Sequence, residues 1–125
     1  MLGGRIGSAL CDSHGDRRVE VLVQIVRYRS RLTDEDVLAT VESRATEYLA
    51  VPGLLQKYYL RFPETGEHGG VYLWASTESF QGFRESELAR TIPDAYRVEG
   101  PPHVELADVS KVLYPRCATQ RQKQP

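Results

Sequence analysis

The sequence predicts an α+β fold of ferredoxin-like order, β-α-β-β-α-β, in which two helices cover one face of a four-stranded antiparallel sheet. Three observations carry this expectation. Between Leu54 and Ala75 the chain reads LLQKYYLRF, then PETGEHGG, then VYLWA. Two runs of aromatic and aliphatic residues flanking a turn-forming segment are the pattern of a β-hairpin. A helical spacing of apolar residues precedes this hairpin, and a shorter capped one follows it. A strand pattern stands at each end of the series.

In chain order, residues 1–18 contain Gly, Ser, Asp, Arg and His with no sustained period and read as a flexible leader. Val19–Tyr28 is the first strand. Val19, Val21, Val23 and Ile25 point one way; Leu22, Val26 and Tyr28 point the other, with Glu20 and Gln24 among them. Both faces are therefore largely apolar, whereas a sheet with one wet face alternates more cleanly. Thr33 is placed to cap a helix whose first turn carries Asp34, Glu35 and Asp36, complementing the positive helix end. Val37, Leu38, Val41, Ala45, Tyr48 and Leu49 give it an apolar stripe, and Val51-Pro52-Gly53 ends it.

In the hairpin, Thr65-Gly66 and Gly69-Gly70 offer residues that tolerate positive φ. Ser76 or Thr77 then caps a short helix with Phe80 and Phe83 on its inner face, weakened by Gly82. Ser86–Ile92 adds a further turn or two, stopped by Pro93. Tyr96–Pro102 reads as a loop broken by Gly100-Pro101-Pro102. His103–Val109 is the last strand, and Val112, Leu113 and Tyr114 either extend it or cross to a neighbour. The core domain is thus 19–114, followed by a polar, basic, flexible tail over 115–125.

A chain of 125 residues is one domain, long enough to bury roughly two thirds of its unfolded surface. A formal net charge of −1 gives no electrostatic reason to expect nucleic acid. No apolar run approaches the roughly 20 residues of a membrane span, and the N-terminus, MLGGRIGSAL, reads as too short in its apolar part for a secretory signal. Cys11 and Cys117 lie in the two tails and read as free thiols of a cytoplasmic protein. The helices cover only one side of an apolar sheet, so a homodimer with two sheets packed face to face is expected.

No nucleophile elbow, zinc motif, phosphate loop or dinucleotide fingerprint is present. His14, His68 and His103 are too widely spaced for a metal triad. The hairpin holds the richest polar-aromatic cluster: Lys57, Tyr58, Tyr59, Arg61, His68, Tyr72 and Trp74. With Thr65-Gly66 centring the turn, Tyr59 is expected opposite Tyr72, and Lys57 opposite Trp74, all on one face. If that face looks toward Phe80 and Phe83, a cavity with aromatic walls, a cation and phenol hydroxyls results. It suits a planar, partly anionic ligand.

The run Pro52-Gly53-Leu54-Leu55-Gln56-Lys57-Tyr58-Tyr59, then Glu64-Thr65-Gly66-Glu67 and Gly69-Gly70-Val71-Tyr72-Leu73-Trp74, resembles the YdhR-type monooxygenases of the dimeric α+β barrel superfamily. The likeness spans about Val19 to Val109, with its specific part in 52–88. It implies a homodimer, a ligand cavity in each subunit and an oxygenase role without a cofactor. On that reading the substrate is an aromatic or polyketide-like molecule whose carbanion or phenolate reduces dioxygen itself. The residues expected to act are Lys57 for anion stabilisation, Tyr59 and Tyr72 for hydrogen bonding, and His68, at the hairpin tip, or His103 as a proton carrier. Trp74, Phe80, Phe83, Tyr58 and Arg61 are expected to bind substrate. The same residues also admit plainer roles: Trp74, Phe80 and Phe83 as core, the tyrosines as dimer contacts, Lys57 and His68 as solvated. An isomerase or cyclase, or a ligand-binding dimer without turnover, would use the same scaffold.

Overall fold

The computed structural model describes residues 21–114. Its elements are β1 (Leu22–Ser30), α1 (Asp34–Tyr48), β2 (Leu54–Phe62), β3 (Glu67–Trp74), α2 (Thr77–Arg84), α3 (Glu87–Arg90), α4 (Ile92–Ala95) and β4 (Val98–Asp108). The strands form one sheet in the order β2-β3-β1-β4, antiparallel throughout. This is the ferredoxin-like α+β fold expected from the sequence. The leader, the tail and both cysteines lie outside the described residues, as do Val19 and Glu20.

Helix α1 starts where its cap lies: the Asp36 amide donates to Thr33 Oγ1 at 3.1 Å. Val37 and Tyr48 are buried on its inner face. Leu38 and Leu49 do not join that stripe; they are 58% and 71% exposed. Each sits one position beyond a buried residue, a rotation of roughly 100° about the helix axis. Arg44, four residues before Tyr48, turns inward instead.

The hairpin register differs by two residues from the one expected. Lys57 pairs with Tyr72, Tyr59 with Gly70 and Phe62 with Glu67, so residues 63–66 form the turn. Gly66 takes φ +79° there, and its amide donates to the Phe62 carbonyl at 2.8 Å. That register takes Trp74 away from Lys57, and an irregularity between Leu54 and Gln56 sets it opposite Leu54. Gly69 and Gly70 are not turn residues. They lie inside β3, and a Cβ on Gly69 would fall 1.9 Å from the Val26 carbonyl oxygen of β1. Close approach of a neighbouring strand, not positive φ, requires glycine there.

Ser76 caps α2, accepting from the Ser79 amide at 3.1 Å. Pro93 does not stop a helix; it stands in the first turn of α4, where a missing N–H costs nothing. Gly100-Pro101-Pro102 does not break the chain into a loop either. β4 runs through it, and the pairing with β1 slips between Arg27 and Arg29 to absorb the extra residues. β4 is an edge strand, where proline's missing donor leaves no ladder bond unmade. The strand ends at Asp108; residues 110–114 do not extend it.

The core is aromatic. Tyr48, Tyr72, Trp74, Phe80 and Phe83 cluster between the sheet and the helices, with Leu22, Val26, Leu54 and Leu88 packed against them. The opposite face carries Val23 and Ile25 of β1, Tyr58, Leu60 and Phe62 of β2, and Val71 and Leu73 of β3, all partly or largely exposed in the single chain.

Candidate functional site

A cavity of about 290 Å³ opens between the sheet and the helices. Tyr59, Lys57, Tyr72, Gln24, Val26 and Tyr28 line it from the strands; Tyr48, Phe80, Phe83 and Ile92 line it from the helical layer. Val104 of β4, Tyr96 and the charged Arg84 at the end of α2 also line it. Strand periodicity explains the first group. Lys57 and Tyr59 are two apart on β2, and their cross-strand partners Tyr72 and Gly70 are two apart on β3, so all face one side.

Lys57 is the centre of this wall. Its Nζ lies 4.0 Å from the ring centroid of Tyr59, 4.2 Å from that of Tyr72 and 4.4 Å from that of Tyr48. It also donates to the Tyr72 hydroxyl at 3.2 Å. Among the described residues no carboxylate pairs with it. Burial, reinforced by repulsion from the Arg44 guanidinium, pulls the Lys57 amine down to about 7. The three ring faces act in the opposite sense, since each attracts the ammonium form.

The surrounding phenols shift the other way. Burial pushes Tyr72 well up, with the Tyr48 phenol adding to it. Burial also raises Tyr28 and Tyr59, each further raised by neighbouring phenols. Tyr96 is pushed up to about 12 by burial, with the Tyr48 phenol adding to it and Arg44 opposing. Tyr48 is raised by burial against the opposing pull of Arg44. At neutral pH the cavity therefore presents protonated phenols around an amine close to its titration point.

Of the sequence-predicted residues, Lys57, Tyr59, Tyr72, Phe80 and Phe83 come together on the cavity. Trp74 does not line it. It is 0% exposed, its Nε1 donates to Gln24 Oε1 at 2.9 Å, and its ring stacks on Tyr72 at 5.8 Å and 8°. It backs a wall residue rather than offering a face to a ligand. Tyr58 is on the opposite side of the sheet, because odd and even positions of β2 alternate. Arg61 is exposed and donates to Asp34 Oδ2 at 2.9 Å. His68 is neither solvated nor at the hairpin tip. It is buried within β3, with Nε2 3.1 Å from Asp34 Oδ1 and its ring 6.4 Å from Tyr28. His103 is exposed on β4, near Glu105. None of these four lines the cavity.

The sequence did not single out Gln24, Tyr28, Tyr48 and Tyr96 on the wall, nor Arg44 behind it. Arg44 Nη2 donates to the Leu88 carbonyl at 3.0 Å and to Thr91 Oγ1 at 3.2 Å, and its guanidinium lies 5.9 Å from the Tyr96 ring centroid. Its Nε is buried without a partner. The available signal was its spacing of four from Tyr48, which puts both on one helical face. Among the described residues no cluster of three or more His, Cys, Asp and Glu side chains is placed to hold a metal.

No model of a known protein family matches this chain, and curated proteins show no match in sequence. Solved structures do match in fold. The cofactor-independent oxygenase SnoaB of Streptomyces nogalater superposes with a TM-score of 0.62 at 12% identity, covering 75% of this chain and 97% of its own. A monooxygenase from the gene ActVA-Orf6 of Streptomyces coelicolor, solved with the ligand nanaomycin D, gives 0.60 at 16% identity, covering 76% and 92%. A dimeric ferredoxin-like protein of unknown function from Thermobifida fusca gives 0.59 at 10%, covering 72% and 92%. What these proteins share with this chain is the fold. Among the described residues no helix is long and apolar enough to cross a membrane.

Proposed function

We propose that this chain is a homodimeric, cytoplasmic monooxygenase of the YdhR type, acting on a small aromatic or polyketide-like molecule without metal or flavin. The observation that carries the reading is Lys57, an amine set in an aromatic cavity wall with three tyrosine rings around it and no carboxylate partner among the described residues. Such an amine takes a proton from a phenol or enol, or stands as counter-charge to the anion so formed. Tyr59 and Tyr72 hydrogen-bond the substrate oxygen, and Phe80 and Phe83 flank its ring. The substrate anion itself supplies electrons to dioxygen. Fold neighbours that are oxygenases support this reading, as does the resemblance of residues 52–88. The apolar face behind the cavity supports the dimer.

The test is oxygen uptake with a planar enolisable probe such as a dihydroxynaphthalene. The expected outcome is uptake coupled to an oxygenated product, lost in Lys57→Met. Product formed equally without oxygen would show an isomerase or cyclase instead. Saturable binding without turnover would show a ligand-binding dimer.

A further inference from the structure

We propose that Lys57 is a nucleophile as well: its amine condenses reversibly with the aldehyde or unhindered ketone of a planar aromatic molecule held in the cavity, forming an imine. The inference rests on the cavity's taking such molecules, not on any use of dioxygen.

The surroundings of Nζ are those an amine needs for this chemistry. A carboxylate partner would hold it charged and unreactive, and among the described residues it has none. Burial and a second cation favour the free base; here Nζ is set into the cavity wall and Arg44 supplies the nearby charge, against the pull of the three ring faces. One side is left open. The residue across the sheet from Tyr59 is Gly70, and a Cβ there would lie 3.7 Å from Nζ. Glycine leaves that space to the cavity, so a carbonyl carbon has a path to the nitrogen.

The condensation balances without a co-reactant. The nitrogen lone pair forms a C–N bond as the carbonyl π pair moves to oxygen, giving a carbinolamine. The C–O bond then breaks as the C=N bond forms, and the oxygen leaves as water with the two amine hydrogens. The Tyr72 hydroxyl, 3.2 Å from Nζ, is placed to pass a proton from nitrogen to the departing oxygen. Being held protonated by burial, it has that proton to give at neutral pH.

The experiment treats the whole chain with 2-hydroxy-1-naphthaldehyde and sodium cyanoborohydride at pH 7, followed by intact-mass measurement and peptide mapping. The expected result is one reduced adduct on Lys57, formed at least roughly tenfold faster than on Lys111 or Lys123. Excess 2-naphthol, which fills the cavity but carries no carbonyl, should block it. Tyr72→Phe should slow it roughly tenfold at the same site, and Lys57→Arg should remove it. Equal labelling of all three lysines overturns the inference. So does the absence of a Lys57 adduct while 2-naphthol binds saturably, which leaves the cavity reading intact. Neither binding nor adduct overturns both. A Lys57 adduct in a protein that consumes no oxygen upholds the inference and overturns the oxygenase reading. The wild-type map stands whether or not a variant folds.

Discussion

On β2, Lys57 and Tyr59 look into the cavity, while Tyr58 and Leu60 look out from the other side of the sheet. The two faces share one backbone and differ in what they do with polarity. The cavity face sets an amine and several phenols in apolar surroundings, so protonation states shift. The outer face keeps its charges at the margin: Arg27 stacks over Phe62 at 4.4 Å and pairs with Glu67 at 3.7 Å. Its centre, built from Ile25, Leu60, Val71 and Leu73, is aliphatic. One face is suited to chemistry and the other to association, and the alternation of side chains along the strand keeps the two apart.

The sharpest way to break this contrast is Lys57→Met. Turnover of an enolisable probe should fall about a thousandfold if the amine is the base. The same variant reads out stability. Lys57 is held near 7 in the folded chain and titrates near 10.5 when unfolded, so between these values the unfolded chain binds more protons. Stability should therefore rise with pH from about 7 toward 10, and the burial penalty should be fully present below 7. The raised phenols work oppositely above pH 10, where unfolded tyrosines ionise first. Wild type should gain stability relative to Lys57→Met across pH 7–10 in urea titrations. A constant difference would mean that the ring contacts hold the amine charged throughout.

Leu60→Glu tests the outer face. Two buried charges per symmetric contact should weaken the dimer about a hundredfold in sedimentation, with 2-naphthol affinity within a factor of three of wild type. Loss of ligand binding in the dissociated chain would mean that the partner completes the cavity. Tyr72→Phe keeps the ring and its stack on Trp74 but loses one hydrogen bond to Nζ. It should cost about tenfold in probe turnover. The smallest effect is expected from Asp34→Asn, which weakens the contacts to Arg61 and His68 at an exposed position. Its effect on urea stability should stay within about 1 kcal/mol.

The fold was readable because its signals are periodic and local: a capped helix, a hairpin with a glycine turn, a second cap at Ser76. Lys57, Tyr59 and Tyr72 share a face in the expected and the observed register alike, because the two differ by two residues, one full strand period. Residues outside a regular pattern were less readable. Gly69 and Gly70 look like turn glycines, yet neighbouring backbone presses on both, the Val26 carbonyl at Gly69 and the Tyr58 carbonyl at Gly70. Gly100-Pro101-Pro102 looks like a loop because a sequence does not announce which strand is an edge. Arg44 reads as a solvated helix residue; only the tertiary packing of α1 against the helical turn at Leu88–Thr91 turns it inward.

Trp74 is the chain's only tryptophan. Sealed from water, bonded through its indole to Gln24 and lying flat against Tyr72, it forms a single optical probe one ring behind the cavity. Its fluorescence should be blue-shifted in the free protein, and a chromophoric guest resting on Tyr72 should quench it. Occupancy can thus be followed in real time on the unlabelled chain, before any substrate is known.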